Sequence, residues 1–363
     1  MMDHDRLFIP GPTEVRPEIL ETQTRWMIGH RSPECLGLLA DIQPKIRQVF
    51  YTDKRVFICA SSGTGLQEAA IRNCSDSKVL NCVNGAFAER WHDITRANGK
   101  SCEVLDVRWG QPILPEQVTA RLHGGGYDAV TLVHNETSTG VESPVKDIAR
   151  AIRESPGGED IMILVDSVSG LAGARLETDA WDLDVVISSS QKAFAIPPGL
   201  AFCSVSDRAI EKARSVSDRG YYFDFLVLDK YLQRNQTPNT PPVSLLFALD
   251  RQLTDMLSEG MEHRFERHLA MRDKTIEWTA KHKIGMFSAP GFESPTVSCI
   301  RGGQAIDIDG LIAHARSRHM IISEGYGPMK GRNFRIAHMG DTNLDHMDEL
   351  FAALDEFIKH QGM

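Results

Sequence analysis

Two side chains that could carry chemistry follow successive predicted strands, at the point where each strand ends. Asp166 closes the apolar run IMILVD (161–166), and Lys192 comes three residues after the run DVVISS (184–189). In an open parallel sheet, ligands bind outside the carboxyl ends of the strands. A buried carboxylate needs a partner, for which a protonated heterocyclic nitrogen, a helix N-terminus and a magnesium ion are alternatives. A partly desolvated lysine has a lowered pKa and forms an imine with an aldehyde. The spacing of 26 residues between the two favours imine chemistry over a surface role for the lysine.

Small and hydroxyl residues follow three other predicted strands. The turn SSGTG (61–65) precedes a helical pattern, and a helix N-terminus of this kind binds a phosphate. The alternative is an ordinary strand–helix turn with a Ser or Thr N-cap. The turn is neither a P-loop, since no Gly-Lys-Ser/Thr follows, nor a GxGxxG fingerprint. The segment NETSTG (135–140) offers hydroxyls for a phenolic oxygen or a phosphate. Phe87 could stack on a ring, although a core position is the commoner outcome for phenylalanine.

The elements that would position these residues alternate between short apolar runs and amphipathic helical patterns from about residue 40 to 210. Continuous apolar strands separated by helices indicate a mostly parallel, doubly wound α/β sheet that is covered on both faces. The predicted strands are RVFICA (55–60), KVLNCV (78–83), CEVLDV (102–107), DAVTLVH (128–134), IMILVD (161–166), DVVISS (184–189) and LAFCSV (200–205).

The flanking segments predict a Pro- and Gly-rich arm and a smaller second domain. A long helical pattern runs from about Val243 to His282, and mixed strand and helix patterns follow to the end of the chain. We therefore predict an N-terminal arm over 1–25, a large domain over 26–255 and a small C-terminal α+β domain over 256–363.

Composition narrows the class of protein. The chain has 40 basic and 49 acidic residues, a formal net charge of −9, and no clustered basic patch that would favour nucleic acid. No apolar stretch is long enough to span a bilayer. Seven scattered cysteines without a CxxC motif indicate reduced, mostly buried thiols and no zinc site. Together with an N-terminus that lacks an apolar signal core, they favour a cytoplasmic protein.

The chain resembles the class V aminotransferases of fold type I, in the alanine–glyoxylate and serine–glyoxylate branch. These enzymes use pyridoxal 5'-phosphate (PLP). The resemblance extends over nearly the whole chain, and its most specific segments are VDSVSGLAG and SSSQKAFAIPPGLAF. It also includes FIPGPTEVRPEIL, GHRSPE, SSGTG, NGAFAERW, HNETSTGV, YYFDF, NTPPVS and FRIAHMG.

The resemblance implies a role for each matching residue. Lys192 is the Schiff-base lysine and carries the proton between the substrate and the cofactor, while Asp166 pairs with the pyridine nitrogen. Arg335 binds the substrate carboxylate, for which the bidentate guanidinium is well suited. Gly11 lies near the substrate, and the segments 25–35 and 320–330 shape the pocket. The remaining residues contact the cofactor. Ser62, Gly63 and Thr64 form the phosphate turn, and Gln191 also contacts the phosphate. Phe87 stacks on the ring where relatives often have tryptophan, and Thr137 bonds the phenolic oxygen. Thr240, with Thr237 as an alternative, reaches the phosphate in a neighbouring subunit.

These roles imply an aminotransferase that moves an amino group from a small amino acid to a small 2-oxo acid, such as glyoxylate or pyruvate. Two half-reactions at one site predict ping-pong kinetics. If Thr240 completes the neighbour's site, the enzyme is a homodimer with shared active sites. No membrane or nucleic-acid partner is expected.

Three other functions remain as alternatives. A cysteine desulfurase or related class V lyase would need a mobile-loop cysteine, for which Cys299 in TVSCIRG is the candidate, and would usually stack a histidine on the ring. A 2-aminoethylphosphonate transaminase would use a comparable anion site. A non-enzymatic protein of the same fold would usually have lost the lysine or the aspartate. The run HGGG (123–126) is like an oxyanion loop, but no GxSxG motif accompanies it.

Overall fold

The computed structural model describes residues 4–302 and 306–360. Its strands are β1 (Arg6–Leu7), β2 (Arg55–Ala60), β3 (Lys78–Val83), β4 (Ser101–Asp106), β5 (Ala129–Val133), β6 (Asn135–Glu136), β7 (Val141–Glu142), β8 (Met162–Asp166), β9 (Val185–Ser189), β10 (Leu200–Val205), β11 (Val297–Arg301), β12 (Met320–Ile321), β13 (Ser323–Glu324) and β14 (Asn333–Ala337). Its helices are α1 (Pro17–Glu21), α2 (Pro33–Phe50), α3 (Gly63–Cys74), α4 (Ala86–Ala97), α5 (Pro115–Leu122), α6 (Val145–Glu154), α7 (Asp207–Ser215), α8 (Phe225–Leu232), α9 (Val243–Glu259), α10 (Met261–Lys281), α11 (Ile308–Ser317) and α12 (Leu344–His360).

The large sheet has seven strands in the order β2-β10-β9-β8-β5-β3-β4. Its neighbours pair in parallel from β9 to β4, while β10 runs antiparallel to both β9 and β2. The predicted mostly parallel α/β sheet is therefore confirmed. Strand β10 runs in reverse because a short loop of ten residues (190–199) joins it to β9, and a parallel connection needs a longer crossover.

Alternating strand residues divide the core of the large sheet between its two faces. Val56 and Ile58 pack with α2, α6 and α9 on one face, whereas Phe57 and Cys59 pack with α3, α4 and α8 on the other. Burial on both faces explains why these strands read as continuous apolar runs. All seven cysteines are free; six of them are buried, as predicted.

The predicted long helix between Val243 and His282 is two helices in the structure. Gly260 has φ +85° and ends α9, and α10 begins at the next residue. A glycine adopts this conformation without the steric cost of a Cβ, so the chain bends here although the apolar periodicity continues.

A smaller three-stranded antiparallel sheet, in the order β11-β14-β13, forms the C-terminal unit with α11 and α12. Its separate core includes Trp278, whose ring stacks on Phe351 at a centroid distance of 5.0 Å. Helix α10 contributes to both cores, since Phe265 packs in the large unit and Trp278 in the small one. Within the described part of the chain, no helix combines the length and the apolar character needed to cross a bilayer.

The N-terminal arm packs against the small unit, a contact that the sequence did not predict. Strand β1 pairs in parallel with β12, with Arg6 opposite Met320. The next residue but one, Phe8, is fully buried in the core of the small unit. The arm then continues across to the loop that follows β9.

Candidate active site

The carboxyl ends of β2, β3, β5, β8 and β9 surround a cleft of about 630 Å³, including its open mouth. Asp166 ends β8, and Lys192 follows the adjacent parallel strand β9, so strand pairing brings the two residues to the same edge. The cleft is lined by Ser62, Gly63, Thr64, Gln67, Phe87, Arg90, Val133, Asn135, Thr137, Asp166, Val168, Ser169, Gln191 and Lys192. Eight of these were predicted as site residues; the other four predicted positions lie outside the lining.

Lys192 lies against the N-terminal arm. Its Nζ donates a hydrogen bond to the carbonyl oxygen of Pro10. Gly11 has φ +118°, and a Cβ there would stand 2.8 Å from Nζ and Cδ of Lys192, so only glycine fits. Thr13 fixes the arm by donating from its hydroxyl to the carbonyl oxygen of Lys192 at 3.0 Å. Gly11 thus lies beside the amine of Lys192, and its position near the substrate stays a prediction.

Burial sets the charge state of the two central groups. It lowers the pKa of Lys192 to about 8, with the charge of Arg335 adding to the effect and the charge of Asp166 opposing it. Burial also raises the pKa of Asp166 to about 6, against the hydrogen bonds and cations around that carboxylate. Shifts of this kind, caused by desolvation in a cleft, are typical of catalytic sites.

Asp166 is buried and accepts two hydrogen bonds. Gln67 donates from Nε2 to its Oδ2 at 2.6 Å, and the backbone N–H of Val168 donates to its Oδ1 at 2.8 Å. These contacts leave the carboxylate facing the cleft. The described residues contain no group of three or more His, Cys, Asp or Glu side chains that could hold a metal, so the magnesium alternative gains no support.

The turn after β2 forms the N-terminus of α3. Ser62 occupies the N-cap position, yet within the described residues its side chain makes no capping hydrogen bond. Gly63 packs so closely that a Cβ would lie 2.5 Å from Cγ2 of Val168. Gln191 lines the same cleft, and its buried Oε1 has no partner in the described part of the chain. The turn therefore leaves hydroxyl and N–H groups available at a helix N-terminus, which is the arrangement that binds a phosphate.

Helix α4 carries Phe87 and Arg90 into the cleft. The guanidinium carbon of Arg90 lies 4.7 Å from the centroid of the Phe87 ring, and NH1 donates to Oγ1 of Thr64 at 3.2 Å. The start of the helix is held by the buried carboxylate of Glu136, which accepts from the N–H groups of Phe87 at 3.2 Å and Ala88 at 3.1 Å. A carboxylate at this position satisfies free donors and complements the helix dipole.

Thr137 and Asn135 line the side of the cleft that follows β5. Oγ1 of Thr137 lies 2.5 Å from Oγ of Ser169, and either atom can donate. The amide nitrogen of Asn135 is buried without a partner among the described residues, while its Oδ1 accepts from Ser294 at 2.5 Å. Donors without a partner in a cleft of this size are available to a ligand.

Arg335 lies on β14, at the border between the cleft and an outer groove. It is only 9% exposed; Nε donates to the carbonyl oxygen of Glu324 at 3.1 Å and NH1 to that of Thr137 at 3.3 Å. Burial lowers the pKa of the guanidinium. No carboxylate pairs with it anywhere in residues 4–302 or 306–360. Arg335 is thus a buried cation that neutral carbonyls hold in place.

Thr237 and Thr240 do not reach the cleft of their own chain. Both line a separate small pocket beside Tyr222, and Thr240 is exposed. The segment 25–35 is also absent from the described lining of the cleft, and Arg31 from it donates to the carbonyl oxygen of Pro238 at 3.2 Å. The segment packs beside the loop 237–240, which we call the threonine loop, and its role in shaping the pocket stays a prediction.

Six residues of the cleft lining were not predicted as site residues: Gln67, Arg90, Val133, Asn135, Val168 and Ser169. Gln67 lies one helical turn after Gly63, and Arg90 lies one turn after Phe87, so helical spacing from the predicted residues would have placed both on the same faces. Ser169 follows Asp166 by three residues in the turn after β8. Each would have required a known helix or turn boundary.

Cys299 is poorly suited to the role of a mobile nucleophile. It lies on β11, is fully buried, and accepts from Nδ2 of Asn333 at 3.3 Å. Burial raises the pKa of its thiol to about 11, so the reactive thiolate is scarce at neutral pH.

The site fits pyridoxal phosphate in three respects. The amine of Lys192, with its lowered pKa, can form an imine with an aldehyde. The buried carboxylate of Asp166 can pair with a protonated ring nitrogen, and the N-terminus of α3 can bind a phosphate. Buried polar atoms of Gln191 and Asn135 without partners among the described residues line the same space. A cofactor with all three groups would satisfy these contacts together.

Comparison with known proteins identifies the family of the chain. Residues 22–281 match the family model described as aminotransferase class-V. An uncharacterised aminotransferase of Methanocaldococcus jannaschii is 37% identical over 98% of this chain and 93% of its own. A Synechococcus protein named as a soluble hydrogenase small subunit is 35% identical over 100% and 95%. A serine–glyoxylate aminotransferase of Methylorubrum extorquens is 30% identical over 93% and 87%.

Solved structures agree over the whole fold. The aspartate aminotransferase of Thermus thermophilus, of subgroup IV, superposes with a TM-score of 0.91 at 27% identity, covering 98% of this chain and 99% of its own. The alanine–glyoxylate aminotransferase of a Nostoc species gives a TM-score of 0.91 at 26% identity, covering 98% and 96%. The names of these proteins differ in their substrates, but all of them align along nearly the full length.

Proposed function

The chain belongs to the aminotransferase class-V family and is a PLP-dependent transaminase, and from that premise we propose that it transfers the amino group of a small amino acid, of the alanine or serine type, to a small 2-oxo acid such as glyoxylate or pyruvate. The observation that carries the proposal is the meeting of Lys192 and Asp166 in one cleft. Relatives named for serine–glyoxylate and alanine–glyoxylate transfer support the substrate class.

Each residue of the cleft has a defined task in this proposal. Bound PLP supplies an aldehyde and an electron-withdrawing ring. Lys192, as the free amine, takes the proton from the α-carbon of the donor at Nζ and returns it on the cofactor side. Asp166 holds the proton on the ring nitrogen, and Arg335 binds the carboxylate of the donor. The turn from Ser62 to Thr64 binds the phosphate, with Gln191; Phe87 stacks on the ring; and Thr137 bonds the phenolic oxygen.

The position of the threonine loop supports a homodimer with shared sites. Thr240 is exposed and lies outside the cleft of its own chain, so a phosphate contact from it requires a second subunit. Trp26 is 94% exposed and Tyr221 is 91% exposed, and side chains of this size are commonly covered in an assembly. We include Thr237 as the alternative contact from the same loop.

The central test is a panel of amino donors against glyoxylate and pyruvate, with purified protein loaded with PLP. Alanine with glyoxylate, and serine with glyoxylate or pyruvate, should give turnover in ping-pong kinetics, which appear as parallel lines in double-reciprocal plots. Alanine with pyruvate is left out, because the products of that pair are the same as its substrates. Absence of turnover with every amino acid tested would contradict the proposal. The panel includes 2-aminoethylphosphonate, because Arg335 is suited to either anion, and cysteine with a sulfide assay, which detects a desulfurase.

The lysine is tested by Lys192→Ala, with Lys146→Ala as the matched control, since Lys146 is exposed on α6. Loss of the imine-forming amine and of the proton carrier should lower kcat by at least about 10³-fold and remove the cofactor's visible absorbance near neutral pH. The control should keep both. Retention of both in Lys192→Ala would rule out the assigned role.

A further inference from the structure

An aromatic pair separates the two cavities of the active site. Phe87 lines the cleft of Lys192, whereas Tyr326 lines the outer groove together with Arg335. The two rings contact each other, with centroids 5.5 Å apart and planes inclined by 37°. A donor whose carboxylate is bound by Arg335 and whose α-carbon reaches Lys192 must pass beside this pair.

Tyr326 also lies directly at the carboxylate-binding group. The guanidinium carbon of Arg335 is 5.5 Å from the centroid of its ring. Both hydrogen bonds that the structure gives Arg335 go to backbone carbonyls, of Glu324 and Thr137, which carry no neutralising charge. The ring of Tyr326 therefore contacts both Phe87 and Arg335.

Backbone hydrogen bonds hold the turn that carries this ring. The N–H of Gly325 donates to the carbonyl oxygen of Asn333 at 2.6 Å, and the N–H of Met329 donates to that of Tyr326 at 3.0 Å. A Cβ on Gly325 would lie 2.2 Å from the carbonyl oxygen of Met329, and Gly327 has φ +54°. The segment is thus a compact turn, which limits how far the backbone that carries the ring can shift.

We propose that Tyr326 is a specificity-determining residue: its ring, held between Phe87 and Arg335, limits the length of the donor side chain that the site accepts. Donors with a side chain of one or two heavy atoms fit beside the ring, and longer or branched side chains collide with it. The inference rests on the proposed binding of the carboxylate by Arg335. It concerns a side chain to which the proposed chemistry assigns no role.

The test uses saturated carboxylic acids, which bind without reacting. Dissociation constants of propionate, butyrate, pentanoate and 4-methylpentanoate are measured by calorimetry on the PLP-loaded enzyme. The wild-type enzyme should bind 4-methylpentanoate at least about tenfold more weakly than propionate, which is the range that pocket size provides. Tyr326→Ala should abolish that difference. Tyr326→Phe should keep it, because the ring and not the hydroxyl is the barrier.

Two controls separate this inference from the proposed function. Tyr127→Ala removes a tyrosine that precedes β5, at the amino end of that strand and away from the cleft, and should keep the wild-type pattern. Arg335→Gln should weaken binding of every acid. If binding is unchanged in Arg335→Gln, the carboxylate role fails and the inference with it. If Arg335→Gln loses binding while Tyr326→Ala keeps the wild-type length dependence, the inference alone is overturned.

The same substitution is checked in turnover. The ratio of kcat/KM for leucine to that for alanine should rise at least about tenfold in Tyr326→Ala, mainly through KM, while the cofactor's absorbance stays unchanged. A fall in kcat for all donors alike, without a change in that ratio, would indicate a structural role and overturn the inference.

Discussion

Lys192 and Asp166 bear opposite charges in a narrow range of pH. Burial lowers the pKa of the lysine to about 8 and raises the pKa of the aspartate to about 6, so both are charged between those values. Each charge offsets part of the cost of burying the other. The pKa values of both groups therefore lie close to neutral pH, which suits a site that must release and recapture a proton.

The lowered pKa of Lys192 predicts a pH-dependent stability of the protein without PLP. The folded state binds the lysine proton less tightly than the unfolded state, whose pKa is 10.5. The penalty is therefore fully present below about pH 8 and disappears as the pH rises to 10.5. Lys192→Met should raise the free energy of unfolding by up to about 3 kcal/mol below pH 8, and the gain should shrink above it.

Urea unfolding of the two PLP-free proteins between pH 6.5 and 10.5 measures this difference. Lys146→Met, at an exposed position of α6, should show no such trend. A gain from Lys192→Met that is constant over the whole range would contradict the assigned desolvation.

We expect that activity depends on the negative charge of Asp166 and not on the volume of its side chain. In Asp166→Asn, the amide still occupies the space but cannot keep a proton on the ring nitrogen. We expect kcat to fall by about 10²-fold or more, with a shift of the cofactor's absorbance maximum. Asp93→Asn, which changes an exposed aspartate on α4, serves as the control. Unchanged kcat and absorbance would remove Asp166 from the proposed role.

Among the elements, helix α4 depends on a single buried carboxylate at its start. Glu136 accepts from the N–H groups of Phe87 and Ala88 and from Ser138, whose Oγ lies at 2.5 Å. Since the helix carries Phe87 into the cleft, the carboxylate positions the ring that we propose to stack on the cofactor, although Glu136 is not part of the cleft lining.

Glu136→Gln should destabilise the protein and displace this ring. The amide group turns one acceptor into a donor that faces N–H groups, so the free energy of unfolding should fall by about 1–3 kcal/mol. The affinity for PLP should fall as well. Glu89→Gln, in the exposed first turn of the same helix, should leave both nearly unchanged. Equal effects of the two substitutions would contradict the capping role.

The elements also explain what the sequence could and could not predict. Strands such as β8 and β9 were predictable because both of their faces are buried, and the residues at their ends followed from the polarity of a parallel sheet. The break between α9 and α10 at Gly260 was not predictable, because the apolar periodicity of the sequence continues through it. Gln67 and Arg90 were missed because their place depends on where α3 and α4 begin, and helix starts are poorly defined by composition alone.

At the scale of the whole molecule, the proposed homodimer predicts complementation between two inactive variants. Lys192→Ala removes the amine, and Thr240→Asp places a negative charge where the partner's phosphate is proposed to lie. In a mixed dimer, one site has both defects and the other is intact. Mixing equal amounts under conditions of subunit exchange should restore about a quarter of wild-type activity.

The matched control mixes Lys192→Ala with Asp166→Asn. Both residues belong to the cleft of the same chain, so no intact site can form in that mixture. Recovery in neither mixture, although mass spectrometry detects mixed dimers, would contradict a shared site. Recovery in both would point to residual activity of the variants.

Because β1 pairs with β12, the N-terminal arm can dock only after β12 has been synthesised. Arg6 pairs with Met320, which lies more than 300 residues later in the chain. In the same arm, the carbonyl oxygen of Pro10 accepts a hydrogen bond from the amine of Lys192. The arm is therefore synthesised well before its docking strand. While residues 193–320 are being added, the nascent chain carries the lysine and the arm, but the arm has no strand on which to dock. The amine of Lys192 is enclosed by the docked arm only after β12 has been made, and a polypeptide that ends before Met320 would keep it open to solvent.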